Sequence, residues 1–369
     1  MKTRIQNIHT PAGESIRHFL GDTQDILFFD IETTGLSPKN ASLYLIGAAF
    51  FQDQKWTLQQ WLAENTAEEE AILDAFLKFA APYRKLVHFN GTTFDVPFVQ
   101  AKCKKYGLDS SFPPLEQTDI YRQISPFKNL LKLPNCKQKT LEEYLGLHRE
   151  DPFTGGQLIE LYKVYRKEQD PRLLEVLLLH NADDIRGMLS VVPVLSYPEL
   201  FERGPAAVSA EANPCTDYAG NSQKELLVSL TFPTALPAPL SFHGKGCYFS
   251  GRETEGTLKI PMLSGELKFF YPDYKNYSYL PEEDNAIHKS VAVYVDKSHR
   301  VPATPATCYT RKNGDFLPQH LKPGQEDLFT PAFRKGAKEK ESFFLLEEAF
   351  LHDSERLTLY ARHILDGMR

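Results

Sequence analysis

The chain has 369 residues, 42% of them hydrophobic and 24% charged, which suits a soluble globular protein of roughly two or three domains with a sizeable core. A net charge of −6 excludes a global electrostatic footprint for nucleic acid, so any basic surface must be local. Five scattered cysteines without a Cys-x-x-Cys pair argue against a disulfide framework or a zinc site, and no signal-peptide core or membrane-length apolar run is present, so a reducing, cytoplasmic setting without membrane contact is expected.

Residues 1–24 are mixed and weakly periodic and read as a lead-in. From Ile26 to Thr34 four apolar residues run into Asp30, and Glu32 follows two positions later, so on a strand both carboxylates leave the same face. Held close, they repel unless a divalent cation sits between them; the plainer alternative is a strand end capping the turn at Gly35. Leu43–Phe51 and Trp56–Leu62 read as two more strands, a helix follows the acidic turn Glu68–Glu70 through Ile72, Phe76 and Phe79 to about Ala80, and Leu86–Phe89 returns as a strand. That order predicts a mixed α/β sheet and not a doubly wound parallel one.

Asp95 opens the next helix, where Pro97 suits the first turn, and serves there either as a cap or as a further acid of a cluster. Between Ile120 and Leu141 stand Arg122, Lys128, Lys132, Lys137 and Lys139 with no acid among them, a segment suited to holding phosphates or simply to facing water. Thr140–Glu143 has the pattern of a capping box opening a short helix, and Gly155-Gly156 marks a turn. Over Arg172–Val192 the apolar spacing predicts a long helix, on which His180 and Asp184 are about 40° apart and share a face.

Beyond about residue 200 the texture changes. Residues 201–223 read as a linker and Pro233–Pro239 as a second loosening, while 224–369 read as a smaller β-rich α+β domain closed by a helix over 354–365. Strands are expected at Leu226–Phe232, Thr257–Ile260, Glu266–Tyr271 and Val291–Val295. Tyr271, Tyr274, Tyr277 and Tyr279, interleaved with Lys268 and Lys275, suit either base stacking or a core; His288, His299 and Cys308 match no standard metal spacing.

Taken together, Asp30-x-Glu32 on a first strand, Asp95 at a helix start and His180-x-x-x-Asp184 on a later helix resemble the DEDD exonucleases of the ribonuclease H-like superfamily. The run Lys139-Thr-Leu-Glu-Glu-Tyr-Leu-Gly146 through Arg149-Glu-Asp-Pro-Phe-Thr-Gly155 to His180-Asn-x-x-Asp184 is similar to the YprB-type ribonuclease H-like family in particular. The resemblance covers roughly Asp25 to Leu195 and implies a domain over 25–200 with a ribonuclease H-like mixed sheet and flanking helices. It implies further that Asp30, Glu32, Asp95 and Asp184 bind two Mg²⁺ or Mn²⁺ ions, that His180 is the catalytic base, and that Thr33, Asn90, Lys137 and Lys139 contact substrate. The implied activity is 3′–5′ hydrolysis of single-stranded DNA or RNA; the alternatives are a structure-selective endonuclease and a non-catalytic nucleic-acid-binding scaffold. One departure stands out: His180 lies four residues before Asp184, the spacing of the tyrosine-type branch, and Asp183 is an alternative ligand.

Overall fold

The computed structural model describes residues 1–109, 116–149, 153, 155–216 and 220–369, which fall into two compact units, Met1–Pro198 with Leu236–Ala238 and Glu199–Ala235 with Pro239–Arg369. The first unit contains β1 (Lys2–Ile8), α1 (Gly13–Leu20), β2 (Ile26–Thr33), β3 (Leu43–Gln52), β4 (Lys55–Leu62), α2 (Glu69–Ala80), β5 (Lys85–His88), α3 (Asp95–Tyr106), β6 (Glu116–Asp119), α4 (Ile120–Ile124), α5 (Gln138–Tyr144), α6 (Gly155–Glu168) and α7 (Pro171–Val191). Its six strands lie in the order β1-β4-β3-β2-β5-β6; the pairs from β1 to β2 are antiparallel, and β2-β5 and β5-β6 are parallel. This is the expected α/β mixed sheet.

β2 is central, and every residue in it except Asp30 is buried. Leu27, Phe29 and Ile31 pack with Ile46, Ala48 and Phe50 of β3 against Ile72, Leu73 and Phe76 of α2 and Phe98 and Val99 of α3. The opposite face, where Tyr44, Leu45 and Leu62 meet Leu158 and Tyr162 of α6 and Leu177 and Leu178 of α7, forms a second core layer. Strand periodicity therefore turns Asp30 and Glu32 toward the side covered by α7.

Three expectations for this unit need correction. Residues 1–24 are not a lead-in: β1 pairs with β4 from Lys2↔Leu62 to Ile8↔Trp56, and α1 buries Ile16 and Leu20. β1 is an edge strand held by its backbone, with Ile5 63% exposed, so it has no apolar signature to read. The pattern at Thr140 does not open α5, which starts at Gln138; Asn135 Oδ1 accepts both the Lys137 N–H at 2.9 Å and the Thr140 hydroxyl at 2.7 Å. Gly155 begins α6 and is not a turn before it. Residues 150–152 and 154 of the run Arg149–Gly155 lie outside the described residues.

After α8 (Ser196–Glu202) come β7 (Ala206–Thr216), β8 (Ser222–Gly244), β9 (Cys247–Phe270), β10 (Tyr277–Leu280), β11 (Asn285–His288), α9 (Lys289–Ala292), β12 (Val301–Pro302), β13 (Tyr309–Pro318), β14 (Phe343–Leu345), α10 (Glu348–Leu351) and α11 (Ser354–Met368). One sheet runs β14-β13-β9-β8-β7 and a smaller one β11-β10-β12; α11 buries Leu357, Tyr360, Ile364 and Leu365. The stretch 201–223 expected as a linker carries β7, paired with β8 from Ala206↔Thr231 to Thr216↔Ser222. β8 also continues through Pro233, Pro237 and Pro239, which lie past the end of that pairing, so no ladder bond to β7 is lost there.

Val291–Val295 is not a strand. Its first residues form α9, capped by His288, and Val291 and Val293 are exposed around the buried Ala292. Tyr271, Tyr274, Tyr277 and Tyr279 pack round Ala286, Ala303 and Cys308, with Tyr271 and Tyr277 stacked at 4.4 Å, and the Lys268 ammonium lies over Tyr309. They build a small core in which all four rings stay half-buried. No helix among the described residues is long and apolar enough to cross a membrane.

Candidate metal centre

Asp30 is set by a buried chain of amides. Asn181 of α7 donates from Nδ2 to Asp30 Oδ2 at 3.0 Å, and Asn181 Oδ1 accepts from Gln60 Nε2 of β4 at 2.9 Å. Gln60 also donates to the Leu178 carbonyl at 2.9 Å, and both amide residues are fully buried. Gly47 on β3 makes room for this chain, because a Cβ there would lie 2.0 Å from Asn181 Oδ1. Glu32 stands at the end of β2, where the β2–β3 register shifts between Glu32 and Thr33.

Asp95 is the first residue of α3 and is 6% exposed; the N-cap position belongs to Phe94, so Asp95 is not the cap, and its Oδ1 instead accepts the Ile31 N–H of β2 at 3.3 Å. The loop before it is shaped by buried Asp119, which accepts the N–H groups of Asn90 at 2.9 Å and Thr92 at 3.3 Å. Asn90 takes a left-handed φ of 60°, and at Gly91 a Cβ would lie 2.7 Å from the His88 ring.

On α7, His180 Nε2 is 3.6 Å from Glu32 Oε1 and 3.3 Å from Asp184 Oδ2. Asp183, the alternative ligand, lies 3.1 Å from the Arg186 guanidinium, and Asp184 is the residue that joins Glu32 and His180. Asp184 Oδ1 in turn meets Arg149 Nη1 at 2.6 Å. Thus Asp30, Glu32, Asp95, His180 and Asp184 come together. Thr33 and Asn90 make local turn contacts, Thr33 with the Gly35 carbonyl at 2.9 Å and Asn90 with the Thr93 hydroxyl at 2.9 Å. Lys137 and Lys139 are exposed at the start of α5.

Burial, and then the carboxylates of Asp184, Asp95 and Glu32, hold Asp30 well above the ordinary carboxylate range, against the pull of the Asn181 hydrogen bond. Burial pushes Asp95 up to about 7 even though it accepts backbone N–H groups, with Asp119 and Asp184 adding to the rise. Asp184 is raised by burial and pulled back by Arg149 and His180. Such a set of acids is short of positive charge. One donor atom each from Glu32, His180 and Asp184 lies within 4.8 Å of the others, and the neighbouring donors are carboxylate oxygens, so the residues fit a divalent cation.

Sequence reading missed Gln60, Asn181 and Glu142. These are neutral or ion-paired residues with partners distant in sequence or outside their own element; the faint signal for Asn181 is its place between His180 and Asp184 on one helix.

Residues 27–196 match the family model described as the RNase_H superfamily. The uncharacterized protein YprB of Bacillus subtilis is 29% identical over 192 residues, 51% of this chain and 46% of that protein. A DNA polymerase III PolC-type of Ureaplasma parvum is 25% identical over 170 residues, 39% of this chain and 12% of the polymerase. The chain thus spans less than half the length of these curated relatives. Among solved structures, Escherichia coli exonuclease I in its zinc-bound complex with single-stranded DNA aligns at a TM-score of 0.29 and 13% identity, covering 57% of this chain and 55% of that one. Sheet order and family match agree: residues 27–196 form a ribonuclease H-like domain that matches the superfamily model and is similar to YprB.

Proposed function

We propose that the chain is a metal-dependent nuclease that hydrolyses phosphodiester bonds of DNA or RNA, acting from the 3′ end of single strands in the cytoplasm. The observation that carries this reading is the convergence of Asp30, Glu32, Asp95 and Asp184, from β2, α3 and α7, around His180. These four carboxylates would hold two Mg²⁺ or Mn²⁺ ions, and the chemistry supplied on binding would be Lewis-acid stabilisation of the charge that develops at phosphorus. The chain's own groups do the rest. Asn181 and the Ile31 N–H fix the directions of Asp30 and Asp95. The His180 imidazole points its Nε2 into the acids and takes the proton of the attacking water as the P–O bond to the leaving 3′ oxygen breaks. Lys137 and Lys139 hold the substrate's phosphates. The matched stretches of DNA polymerases favour a nucleic-acid substrate.

Oligonucleotides of single-stranded DNA and RNA labelled at the 5′ end, compared with circular strands, test the direction. A ladder shortening from the 3′ end with circles left intact is expected. Cut circles would point to an endonuclease, and binding without cleavage of any substrate to a scaffold; either result would overturn the exonuclease reading.

A further inference from the structure

We infer that Arg149, clamped by Glu142, is the positioning residue for Asp184, an inference that rests on the metal-centre reading above and deepens it. Arg149 Nη1 meets Asp184 Oδ1 at 2.6 Å, while its Nε and Nη2 donate to the two oxygens of Glu142, Nη2 at 2.7 Å. A planar guanidinium can serve both carboxylates in this way only from one orientation. Glu142 is 2% exposed and is located in its turn by Gln138 Nε2 at 2.9 Å; the same nitrogen donates to the Asp184 main-chain carbonyl at 2.7 Å. Gly187, three residues beyond Asp184 on α7, leaves the space for this, since a Cβ there would come 1.9 Å from Glu142 Oε1.

The clamp takes one oxygen of Asp184 and so turns the other, Oδ2, toward His180 Nε2 at 3.3 Å and the Glu32 side chain. Glu142 and Arg149 carry opposite charges, so the pair adds rigidity beside the acids without adding net charge. Neutralising Asp184 alone would need no second buried carboxylate, and burying one is costly unless its geometry is used.

The test is Mn²⁺ binding to the full chain, followed by the electron paramagnetic resonance of free Mn²⁺, in wild type, Arg149→Met, Arg149→Lys and the double variant Glu142→Leu/Arg149→Met. The double variant removes both buried charges and leaves neither orphaned, so it and Arg149→Lys decide the matter if Arg149→Met does not fold. Folded Arg149→Met and the double variant are expected to bind Mn²⁺ about 10–100-fold more weakly, with Arg149→Lys between them and wild type. The kcat should fall in the same order while KM for an oligonucleotide holds. Wild-type Mn²⁺ affinity in the double variant would overturn the inference, as would tighter binding by Arg149→Met, which would make the guanidinium a competitor of the cations. If wild type itself binds no Mn²⁺, the metal-centre reading falls and takes this inference with it.

Discussion

His180 Nε2 faces two carboxylate oxygens, Glu32 Oε1 at 3.6 Å and Asp184 Oδ2 at 3.3 Å, so the imidazole is aimed into the acids and away from the apolar face of α7. If it serves as the base, His180→Ala should lower kcat by roughly 10²–10⁴-fold with little change in KM, measured under saturating Mg²⁺. An unchanged kcat would leave His180 a purely structural residue. Gly47 presents a different kind of demand. A methyl group added at this position would run into Asn181, which is held by both Gln60 and Asp30, so Gly47→Ala should cost about 1–3 kcal/mol in urea unfolding. A loss within about 0.5 kcal/mol would mean the amide chain moves aside freely. The acids and His180 were legible in the sequence because their residue types and spacing announce chemistry on a strand face and a helix face. Asn181 and Gln60 were not, because each gains meaning only from the other, 121 residues away along the chain.

At the scale of elements, legibility followed burial. β2 and α7, apolar at strand and helix period, could be read directly, whereas β1 and β6 are polar edge strands defined by backbone pairing. β7 was hidden for the same reason, and β8 because its prolines suggest a break that occurs only after its ladder with β7 has ended. β1 covers the outer edge of β4. Deleting residues 1–8 should therefore lower the melting temperature and promote concentration-dependent association, seen by light scattering, as the β4 edge becomes free to pair with other chains. A truncated protein that stays monodisperse and melts as wild type would show that β1 protects nothing.

For the whole molecule the acid cluster couples folding to pH and to cations. Asp95 is pushed up to about 7, and Asp30 and Asp184 are raised with it, so all three bind protons more tightly folded than unfolded. Their contribution is fully present below the unfolded carboxylate value and is lost as pH rises through the folded ones. Without divalent metal, stability should thus fall between about pH 4 and pH 7 on account of these groups. Mg²⁺ or Mn²⁺ should restore it most at the upper end, where the carboxylates are ionised and binding favours the folded state. Thermal melts across that range in EDTA and in excess Mg²⁺ would check this, and curves that do not separate at neutral pH would count against a cation site among these acids.

The most direct measurement of the central claim is degradation of labelled single-stranded DNA and RNA by wild type, Asp30→Asn and Asp184→Asn in Mn²⁺, Mg²⁺ and EDTA, each variant first shown to fold by circular dichroism. Cleavage is expected to require the metal and to fall by roughly a thousandfold or more in both variants. Cleavage that persists in EDTA, or that survives in folded Asp30→Asn and Asp184→Asn, would contradict it.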